Sequence, residues 1–341
     1  MDVKMARLRN DYVTEWEEGW LQVKVPVPFS LRWVNAYLIP DSAGYTMVDP
    51  GLKTDEALRV WDFVLEQAGI ANGDIQRIVL THQHPDHYGL AGTFQQRTGA
   101  PVYMSRDSHR YALRLWGEDS VFSADLQQLY RKHGMPAELL AAIDHNLGSF
   151  AERVSPQPQV SYLEAGGKLQ LGDREWSILD ARGHATGQLV FYQPDLRWML
   201  CGDQVLPHIS PNVSLVPGDE EDPLHSILLS WEELLGYDVS FAYPGHRDPF
   251  EDFSGRIREL LQHHARRLTA IQELIAHRAR TGFQMCEELF GERLRDNPHN
   301  LRFAMSETLA HLVYLARRGQ ITETIQEETI TYNSIGDGNN V

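Results

Sequence analysis

The stretch Ile75-Gln76-Arg77-Ile78-Val79-Leu80-Thr81-His82-Gln83-His84-Pro85-Asp86-His87 decides how this chain is read. Its first half is a short apolar run with the character of a buried strand. Its second half places three imidazoles and a carboxylate within six positions. If the strand continued, alternation would send Asp86 to the face of His82 and His84, and His87 to the other. A loop at the strand end lets all four converge. Imidazole and carboxylate are the ligands that zinc accepts, and that manganese and iron accept as well. A merely solvated loop would leave histidine at three fixed offsets unexplained.

Working outward, Trp20–Val25, Ala36–Ile39 and Tyr45–Val48 read as strands, the last ending in the turn Asp49-Pro50-Gly51. Thr54–Ala68 has helical spacing, with Thr54 as N-cap and Gly69 as C-terminal stop. Gly89–Arg97 reads as a helix and Pro101–Met104 as a strand, so the order is that of an α/β core. Residues 107–152 carry helical periodicity without strand character and read as a helical insertion. Strands return at Val160–Leu163, Glu175–Leu179, Leu189–Gln193 and Trp198–Cys201. A helix is expected over Leu224–Leu235, a last core strand over Val239–Tyr243 and a long helix over Gly255–Ala279. Residues 1–282 are therefore taken as the catalytic domain. Residues 283–341 are taken as a small unit of two helices and a hairpin, a winged-helix-like pattern whose last residues, Gly336–Val341, should fray.

Three downstream motifs join the first: Gly183-His184, Gly202-Asp203 and Pro244-Gly245-His246, each after an expected strand. In this order, and with Asp49 in Val48-Asp49-Pro50-Gly51, the chain resembles the metallo-β-lactamase superfamily over most of residues 20–250. The resemblance implies an αββα sandwich with two divalent metal ions, most commonly zinc, at one edge. It implies that one ion takes His82, His84 and His184. The other would take Asp86, His87 and His246, with Asp203 bridging both and Asp49 supporting the loop from behind. It also implies hydrolysis by a hydroxide bridging the two ions, with Asp86 orienting it as the catalytic carboxylate. Ester, thioester, lactone, amide and phosphodiester bonds all remain open to such chemistry.

Bulk properties narrow the choice. A formal net charge of −16 disfavours a polyanionic partner. Residues 283–341 hold five Lys or Arg against nine Asp or Glu, whereas an RNA-binding wing should be basic. The expected substrate is thus a small acyl compound carrying an ester, thioester or lactone. An endoribonuclease or phosphodiesterase is the alternative, and a metal-sensing regulator a distant third. Cys201 and Cys286 form no disulfide framework, and no apolar run is long enough for a membrane span. With no apolar signal region at the start, a cytoplasmic enzyme without membrane contact is expected. The tail is expected to pack or to dimerise.

Side features divide between function and packing. Tyr111, Leu115 and Trp116 either roof the metals or form the insertion's own core. Tyr88 either reaches the pocket or packs, and Cys201 reads as a small buried apolar residue. His208 reads as an ordinary loop residue. His263, His264, His277, His299 and His311 read as solvated or capping histidines.

Overall fold

A computed structural model describes residues 11–117 and 120–335; the expected fraying of Gly336–Val341 lies outside the described residues. Seven strands form one sheet in sequence order: β1 (Val13–Glu15), β2 (Leu21–Pro26), β3 (Trp33–Asp41), β4 (Gly44–Val48), β5 (Ile75–Val79), β6 (Val102–Ser105) and β7 (Val160–Leu163). Five form a second: β8 (Lys168–Leu171), β9 (Arg174–Asp180), β10 (Leu189–Gln193), β11 (Trp198–Gly202) and β12 (Phe241–Pro244), also neighbours in sequence order. Strand alternation builds the layers. Along β3, Tyr37 and Ile39 meet Trp176, Phe191 and Leu200 of the second sheet. Val34, Ala36 and Leu38 of the same strand face Trp61 and Val64 of the helix Asp55–Ala68. Along β11, Trp198 and Leu200 point between the sheets, while Met199 and Cys201 pack on the helices Pro223–Leu234 and Phe253–His277. The result is the αββα sandwich. Thr54 caps its helix through Ala57 N and Gly69 closes it in the left-handed region, as its sequence requires.

Strand direction positions the site. β4 and β5 run parallel, as do β11 and β12, and β9 shares the direction of β11 across antiparallel β10. The C-terminal ends of β4, β5, β9, β11 and β12 therefore open on one edge. Asp49, Thr81–His87, His184, Asp203 and His246 follow those ends.

The insertion is three helices, Arg106–Trp116, Phe122–Lys132 and Ala137–Gly148. The tail is the short strand Arg280–Thr281, helices Gly282–Phe290 and Pro298–Arg317, and a hairpin of Thr322–Gln326 and Thr329–Asn333. The two regions are not separate bodies. Tyr111, Leu126, Tyr130, Leu140 and Ile143 of the insertion share one hydrophobic cluster with Phe283, Met285, Leu301, Met305 and Leu309 of the tail. The tail looks separate in the sequence because an apolar stripe does not name its partner.

The histidine reading needs correction at three positions. His264 and His311 are wholly shielded from solvent, and His299 is half-buried at the roof of the cavity described below. His311 Nδ1 donates to the Glu307 carbonyl at 2.7 Å, so its Nε2 accepts from His264 Nδ1 at 3.0 Å, and both rings are neutral. Burial pushes His311 down to about 3 and, with the His311 ring beside it, His264 down to about 2. Unfolded histidine titrates near 6.5, so below that pH the unfolded chain binds protons that the native chain refuses. Stability should fall by about 1.4 kcal/mol per histidine between pH 7.5 and 5.5. Urea melts of the wild type and of the H264F/H311L variant at both pH values check this. Equal losses in the two proteins would absolve the pair.

Candidate metal centre

The centre is built around Asp49. This residue sits at φ 49° in the left-handed region, which costs a non-glycine residue roughly 1 kcal/mol. The turn brings its carboxylate back onto the loop after β5. Asp49 Oδ1 accepts from Thr81 N at 2.8 Å, and Oδ2 accepts from Thr81 Oγ1 at 2.7 Å and from His87 Nδ1 at 2.9 Å. Because the Thr81 hydroxyl donates to Asp49, it accepts from His82 Nδ1 at 2.9 Å. His184 Nδ1 donates to Asn212 O at 2.8 Å and His246 Nδ1 to Trp33 O at 2.9 Å. In each of these four rings Nδ1 is committed to an outward partner, so Nε2 is the nitrogen that faces inward.

What faces inward is crowded with acceptors. His82 Nε2 stands 3.0 Å from His84 Nδ1. Asp203 Oδ1 lies 3.4 Å from His87 Nε2, and its Oδ2 lies 3.3 Å from His246 Nε2 and 3.7 Å from His184 Nε2. Asp86 Oδ2 is 3.2 Å from His246 Nε2. His87 Nε2, His184 Nε2 and Asp203 Oδ1 are buried without a hydrogen-bond partner among the described residues. Three groups could hold an ion: His82, His84 and His184; His82, His87 and Asp203; Asp86, His87 and His246. Converging imidazole nitrogens and carboxylate oxygens, three of them without another partner among the described residues, fit divalent cations. Gly245 is obligatory in this packing, because a Cβ there would collide with Asp203 Oδ1 and His87 Cε1.

The electrostatics divide the cluster. Burial, reinforced by neighbouring imidazoles, pushes His82 well below its ordinary value and His84 down to about 3, which keeps both in the neutral, ligating form. Burial opposes charge on His246 as well, yet Asp203 and Asp86 raise it to about 10. His87 also rises against burial, through Asp203, Asp49 and Asp86. Asp86 and Asp203 are held well below the usual carboxylate range despite their burial, by His87 and His246. In that half of the cluster the carboxylates draw in positive charge, as protons on His87 and His246 or as a cation in their place.

All seven residues singled out in the sequence come together here. Among the side features, Tyr88 packs: it is buried, and its hydroxyl donates to Gln157 Oε1 at 2.6 Å. His208 is exposed and Cys201 is buried between Val205 and Tyr243 carbonyls. Above the cluster lies a cavity of about 260 Å³, and Tyr111, Leu115, Trp116 and Phe122 of the insertion line it together with His84, Asp86, His184, Asp203 and His246. The sequence reading missed the tail's share. His299, Arg302 and Phe303 also line the cavity. Glu307, ion-paired with Arg267, accepts from Asn212 Nδ2 at 2.9 Å, and the Asn212 carbonyl holds His184.

Comparison with known proteins agrees with this geometry. A family profile described as "Metallo-beta-lactamase superfamily" matches residues 32–246, and one described as "Metallo-beta-lactamase-like, C-terminal domain" matches residues 268–334. The chain is 26% identical over 325 residues to the probable metallo-hydrolase YqjP of Bacillus subtilis (strain 168), covering 93% of this chain and 98% of that one. The crystal structure of the metallo-beta-lactamase family protein TTHA1429 from Thermus thermophilus superposes with a TM-score of 0.82 at 32% identity, covering 93% and 98% of the two chains. A beta-lactamase domain protein from Burkholderia ambifaria gives 0.83 at 25% identity, covering 94% of each. A profile spanning more than half of the chain, and a 32% identical relative spanning nearly all of it, lead to one conclusion: this metal-dependent hydrolase belongs to the metallo-β-lactamase superfamily.

Proposed function

We propose that the enzyme cleaves an ester, thioester or lactone bond in a small molecule, with two divalent ions, most simply zinc, on His82, His84 and His184 and on Asp86, His87 and His246. Asp203 lies between the two groups and serves both. When bound, such ions acidify a water to near neutrality and polarise the bond under attack. The chain does the rest. The Asp86 carboxylate stays ionised and is placed to accept a proton from the attacking water. The Nδ1 hydrogen bonds to Thr81, Asn212, Asp49 and Trp33 fix the four imidazoles.

The observation that carries this reading is the cavity. At about 260 Å³, with walls of Phe29, Leu31, Leu115, Trp116, Phe150 and Phe303, it suits a compact, partly apolar acyl compound. A polynucleotide would need an open basic groove. A larger groove, of about 1000 Å³, borders the cavity at Val216 and Asp219, holds none of the metal-binding residues and is lined by Asp125, Asp219, Glu220, Glu221 and Glu323 against Lys132 and Arg317. The tail, read as winged-helix-like, serves packing in this account, and the enzyme is expected to work without membrane or nucleic acid.

A panel of thioesters, lactones, p-nitrophenyl esters and bis(p-nitrophenyl) phosphate, offered to metal-loaded protein, tests the assignment. At least one acyl class should be turned over well above the phosphodiester. Trimming Trp116 to alanine removes apolar contact worth about 1.5 kcal/mol and should raise KM for that substrate about tenfold, with metal content unchanged. Preference for the phosphodiester would overturn the reading.

A further inference from the structure

The roof of the cavity holds a cation that forms no ion pair among the described residues. Arg302, in the tail helix Pro298–Arg317, is the only Arg or Lys among the residues lining the cavity. Its guanidinium makes no ion pair and donates no hydrogen bond among the described residues, and its Nε is shielded from solvent without a partner. Its stacking contact is the Phe303 ring, 4.1 Å from Cζ, which borders the same cavity. Other arginines near it are paired, Arg114 with Asp125, Arg267 with Glu307 and Arg318 with Asp222, while Arg153, which lies over the Phe150 ring, does not line the cavity. Arg302 is half-buried, and a guanidinium partly withdrawn from water without a counter-ion is costly.

Two more orphans surround it. His299 Nδ1 and Trp116 Nε1 are shielded from solvent without partners among the described residues, and both residues line the cavity. Burial, with the Arg302 charge beside it, pushes His299 down to about 4, so its ring adds no second positive charge at neutral pH. His299 is held flat against Phe29, with ring centroids 4.4 Å apart and planes 10° apart. The roof therefore presents one fixed positive charge, one neutral imidazole nitrogen and one indole N–H, opposite a floor of metal-binding groups.

We propose that Arg302 binds a carboxylate on the substrate, remote from the bond that is cleaved, so that the natural substrate is an acyl compound with a free carboxylate end. The planar fork of a guanidinium matches a carboxylate through two parallel hydrogen bonds. One cation balances one negative charge, which favours a carboxylate over a phosphate dianion. This inference deepens the acyl-hydrolase reading and rests on it for the identity of the bond cleaved, but the anion site can be tested separately.

The separating experiment is equilibrium binding to metal-loaded protein, followed by calorimetry and thermal shift, with butyrate and with succinate, glutarate and adipate. A monocarboxylate can engage only one end of the cavity. A dicarboxylate of the right length should engage both and bind at least tenfold more tightly than butyrate. That advantage should fall to less than threefold in R302M and in R302Q, the second variant guarding against a folding defect in the first; both should melt within a few degrees of wild type. In parallel, p-nitrophenyl butyrate is compared with mono-p-nitrophenyl glutarate, and the wild-type preference for the acid ester should collapse in the variants through KM. A dicarboxylate advantage that survives in both variants, or that is absent in wild type, overturns the Arg302 site. If the advantage depends on Arg302 but neither ester is cleaved, the anion site stands and the acyl reading falls. If both esters are cleaved without preference, the acyl reading stands and the anion site falls.

Discussion

Replacing Asp203 by alanine is expected to strip the protein of both metal equivalents and to lower kcat/KM by at least about 10³-fold, roughly 4 kcal/mol of transition-state stabilisation. The expectation follows from position. Asp203 Oδ1 faces His87 and its Oδ2 faces both His246 and His184, so one carboxylate touches both halves of the cluster. His84 belongs to one group only, beside His82 and His184. H84A should therefore keep about one equivalent while losing most turnover. Elemental analysis after reconstitution at neutral pH separates the two variants. A D203A protein that retains two equivalents would show that this carboxylate is not shared, and the ligand assignment would have to be redrawn.

Ending the chain at residue 267 should abolish a cooperatively folded enzyme. The lost segment supplies Ile271, Phe283, Met285, Leu301, Met305, Leu309, Leu312 and Leu315 to the cluster that also holds the insertion helices. Each buried side chain of this kind contributes about 1.5–3 kcal/mol. Together, at about 12–24 kcal/mol, they match or exceed the net stability of an ordinary domain, about 5–15 kcal/mol. The same cut removes Glu307, and with it the support of Asn212 and His184. Thermal melts and gel filtration check this result. A truncated chain that melts within a few degrees of the full chain, with its metals in place, would mean that the insertion has a sufficient core of its own.

The catalytic layers were largely legible in the sequence because their determinants are local. A strand of alternating or continuous apolar residues announces itself, and the ligands follow strand ends in short Gly- and Pro-bearing turns. Even the cap Thr54 and the stop Gly69 could be read directly. β8 was missed because Lys168–Leu171 is short and half-exposed, with little apolar signal. What the sequence withheld was tertiary. Arg302 and His299 lie almost 100 positions after Asp203 in the chain, on a helix whose apolar stripe says only that one face is covered. His311 could have been suspected, since it falls on the buried stripe with Ala304, Thr308 and Leu315. Which side chain roofs the pocket depends on how the tail docks, and no periodicity encodes that.

The shared cluster of insertion and tail has a consequence for how such an enzyme can diversify. The floor of the cavity is fixed by strand ends and by Asp49, in layers that the roof-forming segments reach through Ala112, Trp116, Phe150 and Ala310. The rest of the roof, drawn from two segments far apart in the chain, packs in their shared cluster. Mutations in Phe122, Arg302 or Phe303, none of them a metal-binding residue, can therefore drift without disturbing ion binding, so long as the insertion and tail drift together. Descendants of one ancestor could change diet while keeping their teeth, and a graft of new specificity should move residues 106–154 and 268–335 as a matched pair.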